Sequence, residues 1–251
     1  MLFSRIIYGP IHSRRLGNSL GINLLPSDRK ICNFDCVYCE CGFAEKMASK
    51  ATLPTVQEYA MALEEALKQA DLDIDTITFS GNGEPTLHPN FLEIVQVTRA
   101  LRDRYFPNAK ISLLSNATKI DTKKDAIMLC DNRILKLDSA VDATLQLIDR
   151  PVEHDLTSDK IIERLQMFEG DFVLQTCFLR GEYQGKKFDN TTPNELQAWY
   201  EAVKKTNPKQ IMVYAIDRQT PVKTIEKLTF DEIQSLVLPL QEQGFDVQIF
   251  A

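Results

Sequence analysis

No stretch of this chain is apolar for long enough to cross a membrane, and Met1 to Arg15 lack the continuous apolar core of a secretory signal. A cytoplasmic protein is therefore expected. Positive charge is not in excess either. Lys and Arg number 29 against 35 Asp and Glu, a net charge of −6, which argues against a broad electrostatic footprint for nucleic acid. There is no linker, low-complexity tract or residue-level repeat. With 44% hydrophobic residues in 251, one sizeable core is expected. Cysteine is sparse and unevenly placed: of six, none precedes Cys32, and three fall within eight residues. That distribution excludes a disulfide framework and points to metal ligation in a reducing compartment.

Short apolar runs alternate with amphipathic segments along the chain. Strands are expected over 20–25, 76–80, 111–115, 134–139, 172–179 and 211–216, and helices over 55–70, 90–104, 122–130, 158–168, 193–205 and 230–241. Thr55 with Glu58, Thr192 with Glu195, and Thr229 with Glu232 have the spacing of a reciprocal capping box at three helix starts. Gly170 and Gly244 lie where helices should stop. Pro239 should break or kink the last helix. A further short strand is expected over 245–250, with no indication of its partner. Six β-α units with right-handed connections form an α/β fold, a parallel sheet curled into a partial (β/α)6, TIM-like barrel. Reactive groups in such a fold gather on the loops after the strands.

The chemistry is concentrated in Cys32-Asn33-Phe34-Asp35-Cys36-Val37-Tyr38-Cys39, a C-x3-C-x2-C run with an aromatic residue before the third cysteine. Three thiolates this close can hold three irons of a 4Fe-4S cluster and leave the fourth open. Zinc is the main rival, with Cys41 or His12 as a fourth ligand. Structural zinc sites, however, usually present two separated ligand pairs, and no second pair occurs here. A second motif, Ser80-Gly81-Asn82-Gly83-Glu84-Pro85, closes an expected strand, where glycines let the backbone approach another group closely. Lys136 and Asp138 place charge in an otherwise apolar strand, which burial tolerates only if they are paired. Ser13-Arg14-Arg15 carries two guanidinium groups suited to an anion. Cys177 shares a strand face with Gln175 and reads as a core thiol rather than a hydrogen donor. Cys130 likewise reads as core. Asp217 and Arg218 form either a site or a surface ion pair, and His12 and His88 suit structural roles.

On these two motifs the sequence resembles the radical S-adenosylmethionine (radical SAM) superfamily. Gly9 to Gly21, the cysteine run, Ser80 to Pro89, and Ile216-Asp217-Arg218 with Pro221 further resemble a branch grouped with the wyosine-synthesising tRNA enzymes. The resemblance implies a single radical SAM domain over residues 1–251, with 1–19 as an N-terminal extension and 20–251 as the partial barrel. It implies Cys32, Cys36 and Cys39 as ligands of a 4Fe-4S cluster whose open iron binds S-adenosylmethionine, yielding a 5′-deoxyadenosyl radical for hydrogen abstraction. It implies cofactor contacts from Tyr38, from Gly81, Asn82, Gly83 and Glu84 to the methionine amino group, and from Ser115 and Asn116 to carboxylate or ribose. Lys136 and Asp138 join them, and Ile216 sits near adenine. A flavodoxin- or ferredoxin-type electron donor is the implied partner. The substrate stays open among small molecule, protein and tRNA, although acidity and the lack of additional N-terminal cysteines count against tRNA. Two alternatives stand beside this reading: a glycyl-radical-enzyme activase, and a non-catalytic iron-sulfur or zinc protein.

Overall fold

The computed structural model describes residues 2–44, 51–70 and 73–251. The chain forms two compact units: Met1–Cys32, Ala44–Ser115 and Lys119–Arg133 make the first, and Asn33–Phe43, Asn116–Thr118 and Ile134–Ala251 the second.

In the first unit, β1 (Ile7–Ser13) pairs antiparallel with β2 (Gly17–Asn23), while β2, β3 (Thr76–Ser80) and β4 (Lys110–Ser115) run parallel. The segment read as a simple extension thus contributes a strand of its own and the start of a second. Gly9-Pro10 hides it from a period-2 reading: Pro cannot donate to a ladder, and the register shifts between Tyr8 and Ile11. β3 alternates cleanly. Thr76, Thr78 and Ser80 carry hydroxyls on one face, with Thr78 2.8 Å from Ser19 Oγ and Thr76 2.7 Å from Ser112 Oγ. Ile77 and Phe79 fill the other face, and Phe79 meets Phe91 edge-on at 5.3 Å.

Helix α1 (Val56–Gln69) starts at the complete Thr55–Glu58 capping box and buries Tyr59, Leu63 and Leu67 at helical spacing. Its Tyr59 hydroxyl lies 2.6 Å from Thr98 on α2 (Phe91–Tyr105). The expected helix over 122–130 is only α3 (Lys124–Ile127), followed by turns.

In the second unit, β5 (Asn132–Lys136, whose last three residues belong here) pairs in parallel with β6 (Val173–Cys177). An unforeseen hairpin of β7 (Arg180–Tyr183) and β8 (Lys186–Asp189) follows, and then β9 (Gln210–Tyr214) continues the parallel order next to β6. The unplaced C-terminal strand is β10 (Val247–Phe250), parallel to β9.

Two helices, not one, follow β5: α4 (Asp142–Ile148) and α5 (Ser158–Gln166). Helix α4 is short and starts at Val141 with no side-chain cap, so it carries no recognisable start signal. Helix α6 (Pro193–Thr206) starts at Thr192, which accepts from the Glu195 N–H, but the Glu195 carboxylate turns to the Ser139 hydroxyl at 2.6 Å. Helix α7 (Phe230–Glu242) has its full Thr229–Glu232 box and runs on through Pro239. The proline lies in the last turns, where one lost intrahelical bond does not end the helix.

Candidate functional site

The turn after β3 is built around two glycines that no other residue could replace cheaply. Gly81 has φ +95° and Gly83 φ +144°, and a Cβ on Gly83 would fall 1.8 Å from the Ile31 carbonyl oxygen. The close neighbour of Gly83 is therefore the protein's own backbone. Ile31 N–H donates to Asn82 O at 2.9 Å and Ile31 O accepts from Glu84 N–H at 3.1 Å, which secures the residue before Cys32.

Asn82 is fully buried. Its amide donates to Phe3 O (2.9 Å) and Pro26 O (2.7 Å), and its side-chain oxygen accepts from Phe3 N–H (2.8 Å). Both amide hydrogens are thus taken up by main-chain carbonyls, so the side chain anchors the N-terminal segment. Glu84 is buried, and its Oε1 accepts from Thr86 N–H (3.1 Å), Thr86 Oγ1 (2.6 Å) and Ser115 Oγ (2.9 Å). Two residues expected at the site, Glu84 and Ser115, are in direct contact.

In the second unit the segment 33–43 is tied to the end of α4. Asp35 N–H donates to Asp149 O and Val37 N–H to Ile148 O, each at 2.9 Å. Tight turns link Cys39 N–H to Cys36 O (3.1 Å) and Gly42 N–H to Cys39 O (2.9 Å). Asn116 donates to Asn33 Oδ1 at 2.7 Å and holds Thr118 through its own side-chain oxygen.

Lys136 is the hub of this unit. Its Nζ donates to Cys36 Sγ at 3.1 Å, lies 3.1 Å from Asp138 Oδ2, and donates to Asp149 Oδ1. It also sits over the rings of Tyr38 (4.9 Å) and Phe34 (5.1 Å). The side chains of Lys136, Asp138 and Asp149 are 10%, 0% and 2% exposed. Burial works against the ammonium, but Asp138, Asp149 and Cys36 outweigh it and hold the Lys136 pKa well above the ordinary lysine value. Burial, opposed by Lys136, lifts the Asp149 carboxyl above the usual carboxylate range. Burial and then the Asp138 charge raise the Tyr38 phenol, which keeps its proton and donates it to Asp138 Oδ2. Asp149 is the member that sequence reasoning missed.

Behind this group, Asp138 Oδ1 accepts from Cys177 N–H at 2.9 Å. Buried Asn190 donates to Asp138 O and Cys177 O and accepts from Leu179 N–H, all at 2.8 Å. Cys177 packs with Val37, Ile148, Leu179, Phe188 and Val222, and half-buried Ile216 lies against the same cluster. Asp217 and Arg218 do not pair with each other. Asp217 is 3.7 Å from Lys227 and Arg218 2.8 Å from Glu40, all exposed. In the β1–β2 turn Arg14 is exposed and Arg15 half-buried. His12 is exposed, with Nδ1 3.3 Å from Asn18 Oδ1. His88 is buried, its Nε2 3.0 Å from Pro54 O. All six cysteines are thiols; Cys32, Cys36, Cys39 and Cys41 are partly exposed, Cys130 and Cys177 buried. Among the described residues no three His, Cys, Asp or Glu side chains are drawn together as they are round a bound metal ion. No helix among them is long and apolar enough to cross a membrane.

Residues 29–170 match the Radical SAM superfamily, and the chain belongs to that family. A UPF0026 protein of Helicobacter pylori (strain J99) is 31% identical over 234 residues, which is 91% of this chain and 71% of that one. Two solved structures share the fold. Streptococcus suis SuiB bound to S-adenosylmethionine aligns with a TM-score of 0.62 at 12% identity, over 88% of this chain and 48% of that one. TYW1 with a lysine-pyruvate adduct bound aligns at 0.64 and 14%, over 89% and 73%. The expected α/β partial barrel is therefore the fold. The family's cofactors are a 4Fe-4S cluster and S-adenosylmethionine, and its enzymes draw on an electron donor. The donor set present fits such a cluster by its chemistry: three partly exposed thiols in a run of eight residues, with the Lys136 ammonium against one of them.

Proposed function

We propose that this protein is a radical SAM enzyme in which Cys32, Cys36 and Cys39 hold a 4Fe-4S cluster, and that it abstracts hydrogen from its substrate. When bound, the cluster supplies the electron that splits S-adenosylmethionine into methionine and a 5′-deoxyadenosyl radical. The observation that carries the reading is the C-x3-C-x2-C run of thiols inside the region that matches the family. The turn around Gly83 steadies the backbone next to Cys32, and Lys136 offsets negative charge at Cys36. Tyr38 keeps its phenol proton on Asp138 beside the ligand segment, while Glu84 and Ser115 offer oxygens for the cofactor's ammonium group. Gly81, Gly83, Asn116 and Ile216 complete the proposed cofactor contacts, and Asn82 contributes by holding the turn in shape. The six thiols suit the reducing cytoplasm, where a flavodoxin or ferredoxin would serve as donor.

Protein reconstituted with iron and sulfide without oxygen, then given S-adenosylmethionine and dithionite, should release 5′-deoxyadenosine. Cys36→Ala should abolish the release. Full turnover by that variant would show that the ligands are assigned wrongly, and one zinc per chain with no sulfide would remove the enzyme reading altogether.

A further inference from the structure

The contact between Lys136 and Cys36 goes beyond holding the fold. Lysine side chains carry much rotamer freedom and are seldom buried. This one is clamped at the end of β5 by two carboxylates, Asp138 two residues on and Asp149 at the end of α4, and by the rings of Tyr38 and Phe34. Two carboxylates already outnumber the single ammonium, yet Nζ also donates to Cys36 Sγ at 3.1 Å. Hydrogen bonds to ligand sulfurs and local charge are the protein's means of setting an iron-sulfur potential.

We propose that Lys136 is a positioning residue that raises the reduction potential of the cluster through Cys36, with Asp149 setting how much of the ammonium the sulfur receives. The inference rests on Cys36 being a cluster ligand. Reduction adds one electron, supplied by the external donor, and Lys136 keeps all its protons throughout. The reduced cluster carries one more negative charge, part of it on the thiolate sulfurs, so a fixed cation at that distance favours the reduced form. The low-dielectric surroundings strengthen the effect. Asp149 competes for the same ammonium. Removing its charge therefore leaves more of the cation to the sulfur, and removing the lysine leaves none.

The test is a potentiometric titration of the anaerobically reconstituted holoenzyme, followed by electron paramagnetic resonance. Wild type, Lys136→Met and Asp149→Asn would be compared. Lys136→Met should shift the midpoint to more negative values, with the reduced-to-oxidised ratio at fixed potential falling about tenfold, or about 59 mV for one electron. Asp149→Asn should shift it the other way. If Lys136→Met leaves Asp138 and Asp149 too close to assemble a cluster, Asp149→Asn decides alone, since it keeps the lysine. Iron-loaded variants with the wild-type midpoint overturn the role of Lys136 and leave the ligand reading intact. Wild-type protein that takes up no iron and sulfide overturns the ligand reading, and this inference with it.

Discussion

Replacing Gly83 by alanine brings a methyl carbon to 1.8 Å from the carbonyl oxygen of Ile31 and 2.5 Å from its carbonyl carbon. Neither atom belongs to a flexible side chain, so the Ile31 peptide must retreat. Retreat loosens two hydrogen bonds, Ile31 N–H to Asn82 O at 2.9 Å and Glu84 N–H to Ile31 O at 3.1 Å. Each contributes about 1 kcal/mol. The φ of +144° adds roughly 1–3 kcal/mol of strain for any residue with a Cβ. The expected loss is about 3–5 kcal/mol, a large part of the ~5–15 kcal/mol that holds a typical native protein. Urea unfolding at constant m-value measures it, and iron per chain after reconstitution reports whether the residue before Cys32 has moved. Gly185→Ala is the control: φ is +75° there, but nothing lies within 4 Å of the added carbon. It should cost only the left-handed strain, about 1–2 kcal/mol. If Gly83→Ala costs no more than Gly185→Ala and binds iron normally, the packing argument at the turn is wrong.

Burial lowers the His88 pKa below the ordinary 6.5. Its ring accepts from Asn90 N–H at 3.2 Å through Nδ1, which leaves the Nε2 proton for Pro54 O. The unfolded chain then binds the extra proton at the higher pH, so this contribution is complete above about pH 6.5 and is lost as pH falls through that value toward the folded pKa. Thermal unfolding between pH 7.5 and 5 should show a steeper decline for wild type than for His88→Gln, and parallel curves would refute the assignment. Cys130 and Cys177 are buried, and burial pushes the Cys130 thiol up to about 12. In cluster-free native protein iodoacetamide should therefore modify Cys32, Cys36, Cys39 and Cys41 and spare these two, as read by mass spectrometry. Rapid native labelling of Cys177 would contradict its packing.

Local chemistry was legible in the sequence wherever it repeated a local rule. The Thr55–Glu58 and Thr229–Glu232 boxes form as their spacing requires, because each involves only residues three apart. Thr192–Glu195 has the same spacing, but its carboxylate is claimed by Ser139, which lies 56 positions away in sequence. Asp149 escaped notice for the same reason: it reaches Lys136 only because an unmarked helix, α4, carries it back across thirteen residues. Asn82 stood in a glycine-rich turn that looks like a ligand cradle, and its use on Phe3 and Pro26 depends on where the N-terminus folds. The hairpin of β7 (RGEY) and β8 (KKFD) lies beyond the apolar run over 172–179 and is too rich in charge to show the alternation of a half-buried strand. The cysteine run and the pairing of Lys136 with Asp138 were readable because the first is a matter of spacing and the second of buried charge needing a partner.

The side chain of Asn190 closes the loop formed by residues 179–190 at its root, since one amide grips the main chain of Asp138, Cys177 and Leu179 together. Beyond that clasp Phe188 and Tyr183 pack with the cluster around Cys177, so the strands are held as well and the tip at Gly185 is the open part of the hairpin. Lengthening or rewriting the tip would therefore leave the two strand ends where they are.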